Sequence, residues 1–266
     1  INEVKIIFLI AFTATPFTNL LAIGNLSLLI FYCLIHYYYN RSNLSKSLYL
    51  LISFFKYNVS FIFIIYSFIN KEYKVLTYFI SLNLFFAVCY YLYLDNFSIE
   101  RIFDPYILAL ELVRGGGEVN NIGKSFFSIQ SILIYFNLDK FYPLFFLLSL
   151  VLIFLAYKKL EVENHTKLVS LFIFSSILVY HGMYEFIILL PFAVYVLKNR
   201  RIISYSNFHI FSIFFIFYFF KINKVIFKNF ISDDIISIIG CLLLIFSSII
   251  LITVNSKELL EFNRKD

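Results

Sequence analysis

The sequence predicts an all-α fold, a polytopic bundle of transmembrane helices with broken or re-entrant members. Three observations carry that prediction. Of the 266 residues 61% are hydrophobic and 14% charged, with a mean hydropathy of +0.86. A soluble domain of this length has too little interior to hide that much apolar surface. Apolar runs at residues 6–16, 17–38, 47–69, 75–94, 141–157, 168–197, 206–220 and 235–254 are separated by short polar segments, several of them basic, such as 41–46 and 198–201. In three places an apolar stretch is interrupted by polar residues at its middle and bounded by basic residues at both ends.

The first of these is 6–38, with Gly24 and Asn25 inside it and Lys5 and Arg41 outside it. The second is 47–69, with Lys56, Tyr57 and Asn58 at its centre, Arg41 and Lys46 before it and Lys71 and Lys74 after it. The third is 168–197, centred on Tyr180, His181, Gly182, Met183, Tyr184 and Glu185, with Lys167 ahead and Lys198, Arg200 and Arg201 behind. A membrane-spanning helix needs roughly 20 apolar residues. The third stretch is too long for one span and short for two, so it reads as two tilted or broken helices that enter and return. Basic residues stay on the cytoplasmic side, which places both of its ends there. Irregular backbone at membrane depth is tolerated where it lines a polar cavity. Asn25, Lys56 and His181 are therefore candidates for one shared cavity, against the alternative of ordinary spans with Lys56 snorkelling or paired.

The remaining segments follow in order. Runs 75–94 and 235–254 fit single spans. Residues 95–124 are polar with mixed charges, which suits an extracytoplasmic loop, and 106–113 within it reads as a short interfacial helix. In 125–138, Ser125, Ser128 and Ser131 recur every three residues against Phe and Ile, an amphipathic helical pattern that fits the membrane interface. Residues 1–254 thus form one transmembrane domain, and 255–266 a polar, solvated tail. Tyr37, Tyr38, Tyr39, Tyr90 and Tyr91 end apolar runs, where aromatic belts sit. A start at Ile1 that leads almost directly into an apolar segment reads as the C-terminal portion of a longer protein, with earlier helices missing.

The composition also limits the chemistry. The net charge of +6 is spread over short loops, and no basic run is long enough to track a nucleic-acid backbone. Cys33, Cys89 and Cys241 lie inside apolar runs without metal-type spacing and read as small core hydrophobes. His36, His165 and His209 are scattered, so no metal site and no cofactor is expected. Gly117 and Gly123 precede Lys124 and Ser125, but five residues separate the glycines where a phosphate-binding loop has four. Arg114 beside Gly115, Gly116 and Gly117 fits either a cation-and-amide site for an anionic group or a turn with a solvated Arg. His181 and Glu185, four apart, share a helix face. They fit a proton-transfer pair, a counter-charge for phosphate, or a buried pair that stabilises the bend. Lys56 fits a phosphate ligand or a snorkelling side chain. The acidic pairs Glu161/Glu163 and Asp233/Asp234 read as loop residues in solvent.

Four places along the chain resemble, in the same order, the polyprenyl-phosphate-sugar-dependent glycosyltransferases of the DUF2029 group (glycosyltransferase family 87). Gly24-Asn25-Leu26-Ser27 is similar to that family's Gly-Gln-x-Asn stretch. Ser53-Phe54-Phe55-Lys56 is similar to its small-residue helix ending in Lys. Ile129-Gln130-Ser131-Ile132-Leu133 is similar to its Asn-Gln-Ser-Leu segment. His181-Gly182-Met183-Tyr184-Glu185, running on to Leu189-Leu190-Pro191, is similar to its His-x-Tyr-Asp segment before Leu-Leu-Pro. Asn25 stands where Gln is usual, Ile129 where Asn is usual and Glu185 where Asp is usual. No Pro follows Lys56, and the Arg often seen after the Gln-Ser segment is missing.

The resemblance implies a GT-C-like bundle with an extracytoplasmic active site in a multi-pass protein of a bacterial inner or plasma membrane. The partners it implies are a polyprenyl-phosphate-linked sugar donor, a lipid or glycan acceptor and membrane lipids, with no nucleic acid. The transferred sugar would be a hexose, mannose-like. Lys56 and His181, with Arg114 third, would take up phosphate charge. Asn25, Gln130 and Tyr184 would contact substrate, and Glu185 would orient His181. The general base would be an Asp ahead of Ile1. The alternatives are a polysaccharide polymerase or ligase of the O-antigen type and a secondary transporter, whose broken helices also bind substrate near the midplane.

Overall fold

The computed structural model describes residues 26–93, 128–159, 162, 164–178, 188–227 and 230–255. All regular elements among them are helical, in line with the predicted class. In order they are α1 (Ser27–Tyr39), α2 (Asn43–Ser53), a 3-10 turn (Phe54–Lys56), α3 (Tyr57–Ile69), α4 (Tyr73–Tyr93), α5 (Ile129–Tyr135), a 3-10 turn (Asp139–Phe141), α6 (Tyr142–Lys159), α7 (Asn164–Leu178), α8 (Leu190–Asn199), α9 (Ser206–Val225), α10 (Asp233–Ile250) and a π turn (Leu251–Asn255).

Apolar run 47–69 is not one helix. It breaks at Phe54–Lys56, where Lys56 takes φ −121° and ψ 77°, outside the helical range. The chain then folds back, so that both outer ends of the hairpin meet at Glu72. Lys46, on α2, lies 2.5 Å from Glu72, and Ser67, on α3, lies 3.3 Å from it. Helix α4 runs up alongside. Ser47 Oγ donates to the Val75 carbonyl at 2.8 Å, and the Phe54 and Phe79 rings meet edge to face at 5.4 Å. With a rise of about 1.5 Å per residue, α2 is about 16 Å long and α4 about 31 Å, so the hairpin turns back near half the length of α4.

Run 168–197 also splits into two helices that double back. Thr166, at the start of α7, pairs with the Tyr195 hydroxyl near the end of α8 at 2.6 Å. Pro191 sits in the first turn of α8, where its missing N–H costs no intrahelical bond. Helix α6 descends beside α7, held by Tyr142 OH donating to the Leu178 carbonyl at 2.6 Å and by a Tyr157–Ser170 pair. Helices α9 and α10 form a third antiparallel pair, with Ser247 Oγ 3.3 Å from Ser212 Oγ. Their turn is closed by buried Asn223, which donates to the Ile231 carbonyl at 2.8 Å and accepts from its N–H at 3.3 Å.

Helix α7 is the axis of the bundle. Eleven of its 15 residues are buried, which fits a helix whose small polar and apolar residues are spread around it with no separate polar face. Phe172, fully buried, packs on Phe31 of α1 and Phe63 of α3. By contrast, α4 and α6 expose large apolar side chains: Leu84, Phe85 and Phe86 on one, Leu147, Leu148 and Leu152 on the other. Apolar surface on that scale marks contact with something other than water. Among the described residues one helix, Asp233–Val254, is long and apolar enough to cross a membrane, with 22 residues and a mean hydropathy of 3.0.

Several local expectations are corrected. Asp233 and Asp234 are not in a loop: Ser232 caps α10 by accepting from Ile235 N–H, and both carboxylates fall in its first turn, where negative charge suits the helix dipole. Cys33 and Cys241 are buried, but Cys89 is exposed on α4. Tyr37 does not join an outer belt; it points inward and is fully buried. The amphipathic segment 125–138 contains α5, and the chain turns off it at Asn137, two residues past the last helical residue, Tyr135. There, φ of 56° and bonds from Leu138 N–H to the Leu133 carbonyl and from Asn137 N–H to the Ile134 carbonyl close the helix. The loop at 95–124, the run at 6–16, the proposed interfacial helix at 106–113 and the tail beyond 255 lie outside the described residues.

Candidate functional site

The break at Phe54–Lys56 has a local cause. Lys56 brings a cation, and the following Tyr and Asn add polarity, into the middle of an apolar run. Ser60, buried one turn into α3, donates to the Ser53 carbonyl at 2.6 Å and so takes up an acceptor that the broken helix leaves over. Lys56 Nζ donates to Ser27 Oγ at 2.8 Å, and Ser27 is fully buried at the first position of α1. Half-buried Lys56 thus places its ammonium on the Ser27 hydroxyl at the tip of the α2–α3 hairpin. A cation within an apolar run of membrane character is read first as a functional group.

A second link lies beside the first. Ser175 Oγ, near the end of α7, donates to the Val59 carbonyl in the first turn of α3 at 2.9 Å. Helix α7 ends three residues later at Leu178, on its way into the segment that holds His181. The flanks of all three interrupted stretches therefore converge. Ser27 follows Asn25 by two residues and touches Lys56, and α7 is hydrogen-bonded to the helix that Lys56 opens. Helix α5, with Gln130 in its first turn, lies at the same end of the bundle: it precedes α6, whose first residue, Tyr142, reaches Leu178, and it packs on α10 and also touches α6 and α7. Asn25, Arg114, His181, Tyr184 and Glu185 lie outside the described residues. Among the described residues no group of three His, Cys, Asp or Glu side chains is placed to hold a metal ion.

The other end of the bundle holds a polar cluster that sequence reasoning missed. Lys46 Nζ and Glu72 Oε1 form an ion pair at 2.5 Å, with side-chain exposures of 14% and 24%. The Tyr37 and Ser67 hydroxyls pair with each other, and each lies 3.3 Å from Glu72 Oε2. The Lys46 ammonium also stands 5.5 Å over the Tyr37 ring. One signal for the cluster is present in the sequence: between Glu3 and Asp95, Glu72 is the sole acid, amid Arg41, Lys46, Lys56, Lys71 and Lys74. Around it stand Tyr38, donating to the Asn164 carbonyl at 2.9 Å, and Tyr39 against His165. No family model, no curated protein and no solved structure matches this chain.

Proposed function

We propose that this chain is part of a multi-pass integral-membrane glycosyltransferase that moves a hexose from a polyprenyl phosphate to a lipid or glycan acceptor on the extracytoplasmic side. The observation that carries the reading is the convergence of Ser27, Lys56 and Ser175, which gathers the flanks of the interrupted segments at one end of the bundle. Ser27 and Lys56 close two of the four segments that resemble the DUF2029 group, and the helix carrying Gln130 lies at the same end.

The membrane placement has its own support. Arg41, Lys71, Lys74, Lys198, Arg200 and Arg201 cluster around the turns at the Glu72 end, and tyrosines stand among them, as expected for a cytoplasmic interface. The outward apolar faces of α4 and α6 then meet lipid. Half-length hairpins that turn back inside the bilayer put Lys56 at depth, opening toward the opposite side. In the reaction a bond forms between the acceptor oxygen and the sugar's anomeric carbon while the bond from that carbon to the phosphate oxygen breaks. A carboxylate base takes the acceptor's proton, and polyprenyl phosphate leaves with its electron pair. Lys56, held by Ser27, takes up the charge that grows on the departing phosphate, with His181 as its partner from the third interrupted segment.

The test is transfer of mannose from polyprenyl-phosphate mannose in membranes that contain the full protein. Lys56→Met lowers kcat about 100-fold while the protein stays in the membrane, and Lys56→Arg restores part of the rate. Unchanged kcat in Lys56→Met overturns the assignment.

A further inference from the structure

We infer that Glu72 is a positioning residue, a single carboxylate that ties α1, α2 and α3 together at the base of the hairpin and thereby sets the place of Lys56 at its tip. Besides its packing on α4, the hairpin is fixed by polar contacts at two places, its tip and its base. At the tip, Ser53, Ser60 and Ser27 hold the turn. At the base, every arm reaches Glu72: Lys46 from α2, Ser67 from α3, and Tyr37 from α1.

The backbone puts the carboxylate there. Helix α3 ends with Lys71 at φ 59°, the Glu72 N–H bonded to the Ser67 carbonyl at 2.9 Å and the Lys71 N–H to the Phe68 carbonyl at 3.1 Å. This termination turns the chain sharply and carries Glu72 back over the last turn of its own helix, within reach of the Ser67 hydroxyl. The nearby cations Arg41, Lys71 and Lys74 are exposed, whereas Lys46 is half-buried and forms the one ion pair among the described residues. A half-buried pair that loses one member leaves a charge without compensation, so the arms separate rather than stay closed.

Geometry converts that separation into an effect at the tip. A rigid α2 of about 16 Å that tilts by about 10° at its base moves its tip by about 3 Å. Shifts of about 1 Å in a reacting group can cost about 100-fold in rate. The link to rate rests on the role proposed for Lys56 above; the latch itself rests on the contacts alone.

The experiment uses the full chain in membranes, with Cys89→Ser to remove the exposed thiol and Phe55→Cys as a reporter at the tip, where Phe55 is 82% exposed. Labelling by N-ethylmaleimide is timed. Glu72→Gln and Lys46→Met each change the labelling rate about tenfold, and the double variant goes no further than either single one. Tyr37→Phe, which removes one hydroxyl and keeps the ring, gives about a threefold change if the charge variants fail to accumulate. A labelling rate unmoved in Tyr37→Phe and in folded Glu72→Gln overturns the latch, and so does full additivity in the double variant. In the mannose-transfer assay, Glu72→Gln lowers kcat with the donor KM within about twofold, and adds nothing on top of Lys56→Met. Changed labelling with no transfer by any form of the protein sinks the transferase reading and leaves the latch standing; transfer with unmoved labelling sinks the latch alone.

Discussion

Two hairpins fold back in this bundle, and the balance of packing and polar contact that holds them differs. The α7 hairpin is central, with α7 buried on nearly every side. Beside hydroxyl contacts such as Thr166–Tyr195 it is held mainly by packing, with Phe172 against Phe31 and Phe63. The α2–α3 hairpin sits to one side, with Leu44, Leu48 and Ile52 of α2 exposed, and its base is closed by the Lys46–Glu72 pair and the Tyr37 and Ser67 hydroxyls. A helix surrounded by neighbours gains from packing on every face. A helix with one open face needs directional contacts to fix its angle. The difference teaches that placement of Lys56 depends on a few polar groups, while the scaffold beside it depends on many small apolar contacts.

The comparison can be broken at either hairpin. The largest effect is expected from Phe172→Ala, which empties the centre of the bundle and costs about 3–5 kcal/mol, read as a drop in thermal midpoint of the purified protein. A loss below about 1 kcal/mol would show that α7 is not the packing axis. Removing the link between the hairpins is milder. Ser175→Ala deletes one buried hydrogen bond to the Val59 carbonyl and costs about 1 kcal/mol, and its effect is non-additive with Lys56→Met in a double-mutant cycle. The smallest change sharpens the picture in the other direction. Lys71 holds a left-handed conformation that glycine adopts without strain, so Lys71→Gly raises stability by about 0.5–1 kcal/mol without altering the Glu72 contacts.

Much of the helical pattern was legible along the chain. The break at Lys56 follows from a cation in an apolar run, and the doubling back of 168–197 follows from its length and its basic ends. The corrections share one origin. Tyr37, Tyr38 and Tyr39 look alike in sequence, yet the first is buried, the second half-buried and the third exposed, because α1 offers each a different neighbour. Cys89 looked like a core residue among apolar neighbours, but the helix that carries it faces outward. Composition reports that a segment is apolar; it does not report whether protein or another apolar medium surrounds it.

By itself, then, the sequence determined the helical class, the positions of the breaks at residues 54–56 and between 168 and 197, and the isolation of Lys56 in an apolar run. These are local properties, set by hydropathy, period and charge within a few residues. The tertiary structure decided that Ser27 receives Lys56, that Ser175 joins the hairpins and that Glu72 closes the base. Those partners are 29, 116 and 26 residues apart, and only the packing of whole helices brings such distant groups within a hydrogen bond.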